Sequence, residues 1–149
     1  MNSIVLATAN PGKIREIQEL VYALPIRFLS LQDVHFTSDL KETGKTFEEN
    51  AILKAVCVGN WTNIVSFAED SGLEIDALFG RPGIYSARYI PGSDEDRVNK
   101  ILEELKGIPV EKRTARFVSV IALYHPKLKK NMTFRGVSNG RITKQKKGN

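Results

Sequence analysis

VSFAEDSGL, at residues 65–73, changes from apolar side chains to two adjacent carboxylates, a hydroxyl and a glycine. Residues 65–68 predict a short buried strand. Glu69 and Asp70 then lie at its carboxyl end, where open α/β sheets bind their ligands. Carboxylate oxygens there suit Mg²⁺. Taken alone, the segment is more typical of a strand followed by an ordinary Asp-Ser-Gly turn, so the metal-site interpretation depends on the rest of the chain.

The start of the chain predicts a strand, a tight loop and a helix. Residues 3–7 are apolar apart from Ser3, Asn10 is a good N-cap, and Pro11 suits the first helical position. Apolar residues recur at helical spacing from residue 14 to about residue 24. The unpaired N–H groups of this helix, with Lys13 in its first turn, predict an anion site of the kind that binds phosphate. The alternative is that Asn-Pro-Gly merely starts a helix.

A second helix is predicted by a capping box. Thr46 is its N-cap and Glu49 the reciprocal partner three residues later. The helix is expected to run from Phe47 to about Val58, with Gly59 as its terminator.

Charged residues accompany this second helix. Asn50 and Lys54 are four residues apart and so share one helix face, while Glu42 lies just upstream. Lys54 is either a solvated surface lysine, the commoner case, or a cation that contacts a polyphosphate.

Four motifs occur in order along the chain: A-T-x-N-x-x-K, E-x-x-x-T-F-x-x-N-A-x-x-K, E-D-S-G-L and P-G-I-Y-S-A-R-Y. Together they resemble the Ham1 family of ITPases, the non-canonical purine NTP pyrophosphatases. The resemblance implies magnesium-dependent hydrolysis of ITP, dITP, XTP and related triphosphates to monophosphate and pyrophosphate. It also implies an α/β fold with a central twisted mixed sheet flanked by helices, two lobes around an active-site cleft, and a homodimer.

The resemblance also assigns site residues. Asp70 matches the catalytic, metal-binding aspartate, Glu42 matches a second acidic position at the metal, and Glu69 is the neighbouring candidate for a metal ligand. The positions matching substrate-binding residues are Thr8, Ala9, Asn10, Pro11, Gly12, Lys13, Lys54, Ser71 and Arg88. Carboxylates that hold Mg²⁺ and cations that hold phosphates are what phosphoryl transfer requires.

The resemblance ends before the family's aromatic, base-contacting segment. Residues 135–142 match the stretch that leads into it, and residues 143–149 end where it is expected to begin. We therefore expect a single domain over residues 1–149, truncated at its C-terminus and lacking the base-recognition half of the site. A catalytically impaired nucleotide- or polyphosphate-binding remnant of this fold is the alternative.

The composition agrees with one soluble domain. The chain has 149 residues, 42% of them hydrophobic, with one cysteine and no apolar run long enough to span a membrane. These features predict a cytoplasmic protein without a membrane partner. The net charge of +5 raises a basic nucleic-acid-binding module as a further alternative. It is less favoured because the basic residues near the end lack interleaved aromatics for stacking on bases.

Overall fold

The computed structural model describes residues 2–147 and contains a five-stranded sheet with flanking helices. The strands are β1 (Asn2–Leu6), β2 (Ile26–Leu29), β3 (Ser66–Ile75), β4 (Thr114–His125) and β5 (Lys130–Arg141). The α-helices are α1 (Pro11–Val21), α2 (Phe47–Thr62) and α3 (Asp94–Glu104), and short 3₁₀ helices cover Asp76–Leu78, Gly83–Arg88 and Val110–Lys112. Gly148 and Asn149, the last residues before the predicted C-terminal truncation, lie outside the described residues.

The sheet has the order β2-β1-β3-β4-β5 and is mixed, as predicted. β1 runs parallel to both β2 and β3. Only residues 126–129 connect β4 to its neighbour β5, which is too short for the crossover that parallel strands require, so this pair is an antiparallel hairpin.

β3 is longer than the sequence predicts, and this corrects the expected position of the two carboxylates. Glu69 and Asp70 lie within a continuous strand rather than at its carboxyl end, and Ser71 continues the strand instead of forming a turn. The pairing of β1 with β3, however, stops at Phe67. The carboxylates therefore still lie just beyond the end of the parallel pair. Pairing along the sheet has outweighed the local turn preference.

The helix starts were predicted better than the helix ends. α1 begins at Pro11 after the Asn10 cap, as expected, but ends at Val21. α2 begins at Phe47 but continues past Gly59 to Thr62, and Asn63 in the left-handed conformation ends it.

Gly59 serves close packing rather than termination. A Cβ at this position would lie 2.5 Å from Cδ1 of Tyr124 and 2.8 Å from Oγ of Ser66. The absence of a side chain therefore lets α2 approach the sheet, while the left-handed turn falls on Asn63.

The capping box of α2 forms only in part. Oγ1 of Thr46 accepts from the Glu49 N–H at 3.1 Å, as predicted. The Glu49 carboxylate accepts from the N–H of Lys45, one residue before the cap, at 2.6 Å. The loop before α2 is thus fixed on the helix.

Contacts divide the chain into two compact units. The first unit comprises residues up to 70 together with 120–134, and the second comprises 71–119 and 135 onward. Buried residues of the first unit include Val5, Leu6, Ala51, Ala55, Val58 and Ala68. The core of the second unit contains Ile75, Leu78, Ile101, Leu105 and Ala115. Within residues 2–147, no helix combines the length and apolar character needed to cross a bilayer.

Candidate active site

A buried lysine contacts two carboxylates in the first unit. Nζ of Lys54 lies 2.8 Å from Oε1 of Glu42 and 2.9 Å from Oδ1 of Asp70. Lys54 and Asp70 are only 8% and 7% exposed. Lys54, Glu42 and Asp70, three of the predicted site residues, thus form one hydrogen-bonded cluster, and Lys54 is not a solvated surface lysine.

The secondary structure explains why these groups meet. Burial alternates along β3, so Asp70 points to the face on which α2 packs. Asn50 and Lys54 lie one helical turn apart on the buried side of α2. The loop before α2 brings Glu42 back onto Lys54.

Asn50 belongs to the same cluster, although the sequence assigned it no role. It is fully buried, its Nδ2 donates to Oδ2 of Asp70 at 3.3 Å, and its Oδ1 accepts from the N–H of Gly44 at 2.8 Å. The signal available in the sequence was its helical spacing from Lys54.

Burial and charge act together on the ionisation of the cluster. Burial raises the pKa of Asp70, the neighbouring Glu42 carboxylate adds to this, and the Lys54 ammonium opposes it. Burial alone lowers the pKa of Lys54, but its hydrogen bond to Glu42 and the charge of Asp70 reverse this, so the pKa of Lys54 is raised. The lysine therefore stays charged. This charged lysine lies between the Glu42 and Asp70 carboxyl groups, within hydrogen-bond distance of both.

Glu69 has a different partner from Asp70. Adjacent strand residues point to opposite faces of a sheet, and Oε1 of Glu69 lies 3.7 Å from Nζ of Lys13. Lys13 also pairs with Glu16 at 3.3 Å. Glu69 is therefore placed beside α1 rather than beside Glu42 and Asp70, and its assignment as a metal ligand stays a prediction.

The loop at residues 8–13 caps its own helix. Oδ1 of Asn10 accepts from the N–H groups of Gly12 at 2.9 Å and Lys13 at 3.4 Å, and Oγ1 of Thr8 accepts from the Asn10 N–H at 3.2 Å. The expectation of unpaired N–H groups here was therefore wrong for Gly12 and Lys13. The helix dipole and the Lys13 ammonium remain as attractive groups for an anion. Ala9 in the loop and Pro11 at the start of α1 are both exposed.

Ser71 and Arg88 belong to the second unit. Ser71 follows Asp70 along β3 and is half-buried. Arg88 ends a 3₁₀ helix, and its guanidinium lies 5.3 Å from the centre of the Tyr85 ring. Their assignment as substrate contacts stays a prediction.

The donor set fits a magnesium ion whose coordination is completed by other oxygens. Among residues 2–147, no group of three or more His, Cys, Asp or Glu side chains is arranged to hold a metal ion. Glu42 and Asp70, however, already converge on one cationic group, the Lys54 ammonium. Mg²⁺ usually takes one or two carboxylates together with water and substrate phosphates, so two carboxylates are sufficient.

A cavity in the first unit lies away from these carboxylates. It has a volume of about 630 Å³ and is lined by Ser3 and Ile4 at the amino-terminal part of β1, and by Val65, His125 and Lys127 among others. No carboxylate is among its described lining residues. Charge and hydrogen bonding, rather than cavity volume, identify the candidate active site.

Comparison with known proteins points in one direction. A family model described as the Ham1 family matches residues 4–149. A dITP/XTP pyrophosphatase of Symbiobacterium thermophilum is 44% identical over 145 residues, covering 97% of this chain and 72% of that protein. A dITP/XTP pyrophosphatase of Geobacter sulfurreducens is 45% identical over 150 residues, covering 99% and 75%. The solved structure of a HAM1 protein from Coxiella burnetii matches with a TM-score of 0.90 and 38% identity, covering 99% of this chain and 76% of that one.

Proposed function

Because the chain belongs to the Ham1 family, as its motifs predict, we propose that it hydrolyses dITP, ITP and XTP to the monophosphate and pyrophosphate. This would remove deaminated purines from the nucleotide pool. The observation that carries the proposal is the buried Lys54 ammonium between the Glu42 and Asp70 carboxylates. Carboxylates and an ammonium group in one buried cluster suit the neutralisation and positioning of a polyphosphate.

The cations of the first unit are proposed to bind the phosphates. Lys54 is held in place by its two carboxylates and offers a fixed positive charge. Lys13 and the N-terminus of α1 offer a second positive region, shaped by the loop from Thr8 to Gly12. Ser71 and Arg88 are proposed as further substrate contacts, on the family resemblance alone.

Asp70 and Glu42 are proposed to hold Mg²⁺. When bound, this ion neutralises phosphate charge and favours ionisation of a water molecule. Asp70 accepts a proton from the attacking water or orients it, the water oxygen bonds to the α-phosphorus, and the bond to the bridging oxygen breaks with pyrophosphate as the leaving group. Glu69 is kept as an alternative ligand. From the family resemblance we also propose that the protein is cytoplasmic and forms a homodimer.

The proposal is tested by the identity of the products. The purified protein is incubated with Mg²⁺ and ITP, dITP, XTP, ATP or GTP, and nucleotides, phosphate and pyrophosphate are separated by ion-exchange chromatography. We expect IMP, dIMP or XMP, each with pyrophosphate, as the products.

Asp70→Asn is the matched control because it keeps the size of the side chain and removes its charge. This variant should fold and lose hydrolysis. Release of inorganic phosphate and a nucleoside diphosphate, or an Asp70→Asn variant as active as the wild type, would contradict the proposal.

A further inference from the structure

The Asn50 side chain connects the loop that carries Glu42 to the strand that carries Asp70. It is fully buried and uses both ends of its amide, accepting from the Gly44 N–H at 2.8 Å and donating to Oδ2 of Asp70 at 3.3 Å. The orientation of the amide follows from its partners: a backbone N–H can only donate, so the amide oxygen must face Gly44. The amide nitrogen must then face the carboxylate.

Gly44 is required for this contact. A Cβ at this position would lie 2.8 Å from Oδ1 of Asn50 and 2.7 Å from Cβ of Glu49, closer than side chains approach. Only a glycine lets this part of the loop lie against the first turn of α2. Glu42 is two residues earlier in the same loop, so the hydrogen bond between Gly44 and Asn50 restricts where the Glu42 carboxylate can lie.

The Asn50 amide, which bridges Gly44 and Asp70, donates its hydrogen bond to the Asp70 oxygen that Lys54 does not contact. Lys54 contacts Oδ1 and Asn50 contacts Oδ2, so the carboxylate is fixed at both oxygens. A carboxylate held at two points cannot rotate freely, and its lone pairs keep one direction. The same amide therefore sets the orientation of Asp70 and the position of the Glu42 loop.

We propose that Asn50 is a positioning residue that keeps Glu42 and Asp70 directed at one shared cation position. The proposal rests on the proposed function for the identity of the cation, Mg²⁺, but concerns how this chain prepares the site before substrate arrives. Groups that orient a metal ligand from behind typically change metal affinity or activity about 10–100-fold when they are removed. An amide suits this position because one end must accept and the other must donate, which neither a carboxylate nor an apolar side chain does.

The test is Asn50→Leu, which is close to asparagine in shape and lacks both polar atoms. The probe is Mn²⁺ alone, titrated without nucleotide and followed by electron paramagnetic resonance, since carboxylate sites that accept Mg²⁺ also accept Mn²⁺. We expect Mn²⁺ affinity and kcat to fall about 10–100-fold, with an unchanged KM for ITP at saturating Mg²⁺. Circular dichroism checks the fold.

Asn60→Leu is the matched control, because Asn60 lies on the same helix and its Oδ1 accepts from the Tyr124 hydroxyl at 2.9 Å, away from the carboxylates. It should keep wild-type Mn²⁺ affinity. If Asn50→Leu does not fold, Gly44→Ala, which disturbs the other end of the bridge, is measured in its place, and a fall in Mn²⁺ affinity again supports the proposal.

The outcomes separate this proposal from the proposed function. Wild-type Mn²⁺ affinity and kcat in the folded Asn50→Leu or Gly44→Ala variant would overturn the positioning role while leaving the hydrolase assignment intact. Weakened Mn²⁺ binding in a protein that hydrolyses none of the triphosphates would overturn the function and support the positioning role. A wild-type protein that binds no Mn²⁺ would overturn the positioning role at its premise.

Discussion

Replacing Lys54 by methionine tests whether its ammonium group stabilises the two carboxylates that it contacts. Methionine keeps an unbranched apolar side chain of similar length, so packing changes little. The substitution leaves Glu42 and Asp70 facing each other without the cation that lies 2.8 and 2.9 Å from them. The free energy of unfolding should therefore fall.

The expected size follows from the burial of the cluster. Removing one partner of a buried ion pair costs about 3–5 kcal/mol. The Glu42 side chain is 26% exposed, so water screens part of the repulsion. We therefore expect the lower end, about 3 kcal/mol, which corresponds to a fall in Tm of about 6–12 °C for a chain of this size.

Thermal unfolding followed by circular dichroism, with chelator or with Mg²⁺, measures the effect. Mg²⁺ should recover part of the loss in the Lys54→Met variant, because an ion that binds only the folded state stabilises it. Lys45→Met, at an exposed lysine beside the same helix, controls for the change in net charge and should shift the free energy by no more than about 0.5 kcal/mol. A Lys54→Met variant that melts with the Lys45→Met control would refute the reasoning.

Two further predictions concern stability away from the carboxylates. Gly59→Ala should lower the free energy of unfolding by about 1–3 kcal/mol despite alanine's better helix propensity, because its Cβ would meet Tyr124. Chemical denaturation measures this, with Gly140→Ala as the control because a Cβ at that position meets nothing within 4 Å. An equal midpoint for the two variants would contradict the close packing. In the capping box of α3, hydrogen bonds from the side chain and backbone N–H of Ser93 lower the pKa of Asp96 from 3.8. The wild type should therefore have a larger free energy of unfolding than Asp96→Asn at pH values above 3.8, and this difference should disappear as the pH falls through the folded-state pKa. A difference that persists in acid would show that the charge of Asp96 does not cause it.

The features that the sequence predicted best are those whose cause is local. The N-caps of α1 at Asn10 and of α2 at Thr46 each depend on one side chain and the next few N–H groups, so residue type and spacing predict both. The start of α1 at Pro11 has a similarly local cause, since a proline suits the first position of a helix.

The features that the sequence did not predict depend on distant partners. β2 has only residues 26–29, which are too few to show a periodic pattern in the sequence. The strand is stabilised by its pairing with β1. The passage of β3 through Ser71 depends on neighbouring strands. The sequence predicts Gly59 as a helix terminator because its actual packing partner, Tyr124, lies far away along the chain.

The same distinction applies to the candidate active site. The family motifs supplied its residues, and helical spacing placed Asn50 with Lys54. Neither could show that one ammonium group would bind two carboxylates. Neither could show that Asn10 would accept hydrogen bonds from the N–H groups that were expected to be available to a phosphate. Both results depend on side-chain positions that are fixed only when the loops fold onto α1 and α2.

The register of β3 decides which of two adjacent carboxylates enters the buried cluster. Val5 pairs with Ser66, and the alternation that buries Ser66 and Ala68 also buries Asp70. A shift of one residue would send Asp70 to the side of α1 and bring Glu69 to Lys54. Such a shift would also move Ala68 to the half-buried face and turn Phe67 and Ser71 toward the buried one. The core packing that stabilises the parallel strands therefore also selects Asp70, rather than Glu69, as the partner of Lys54.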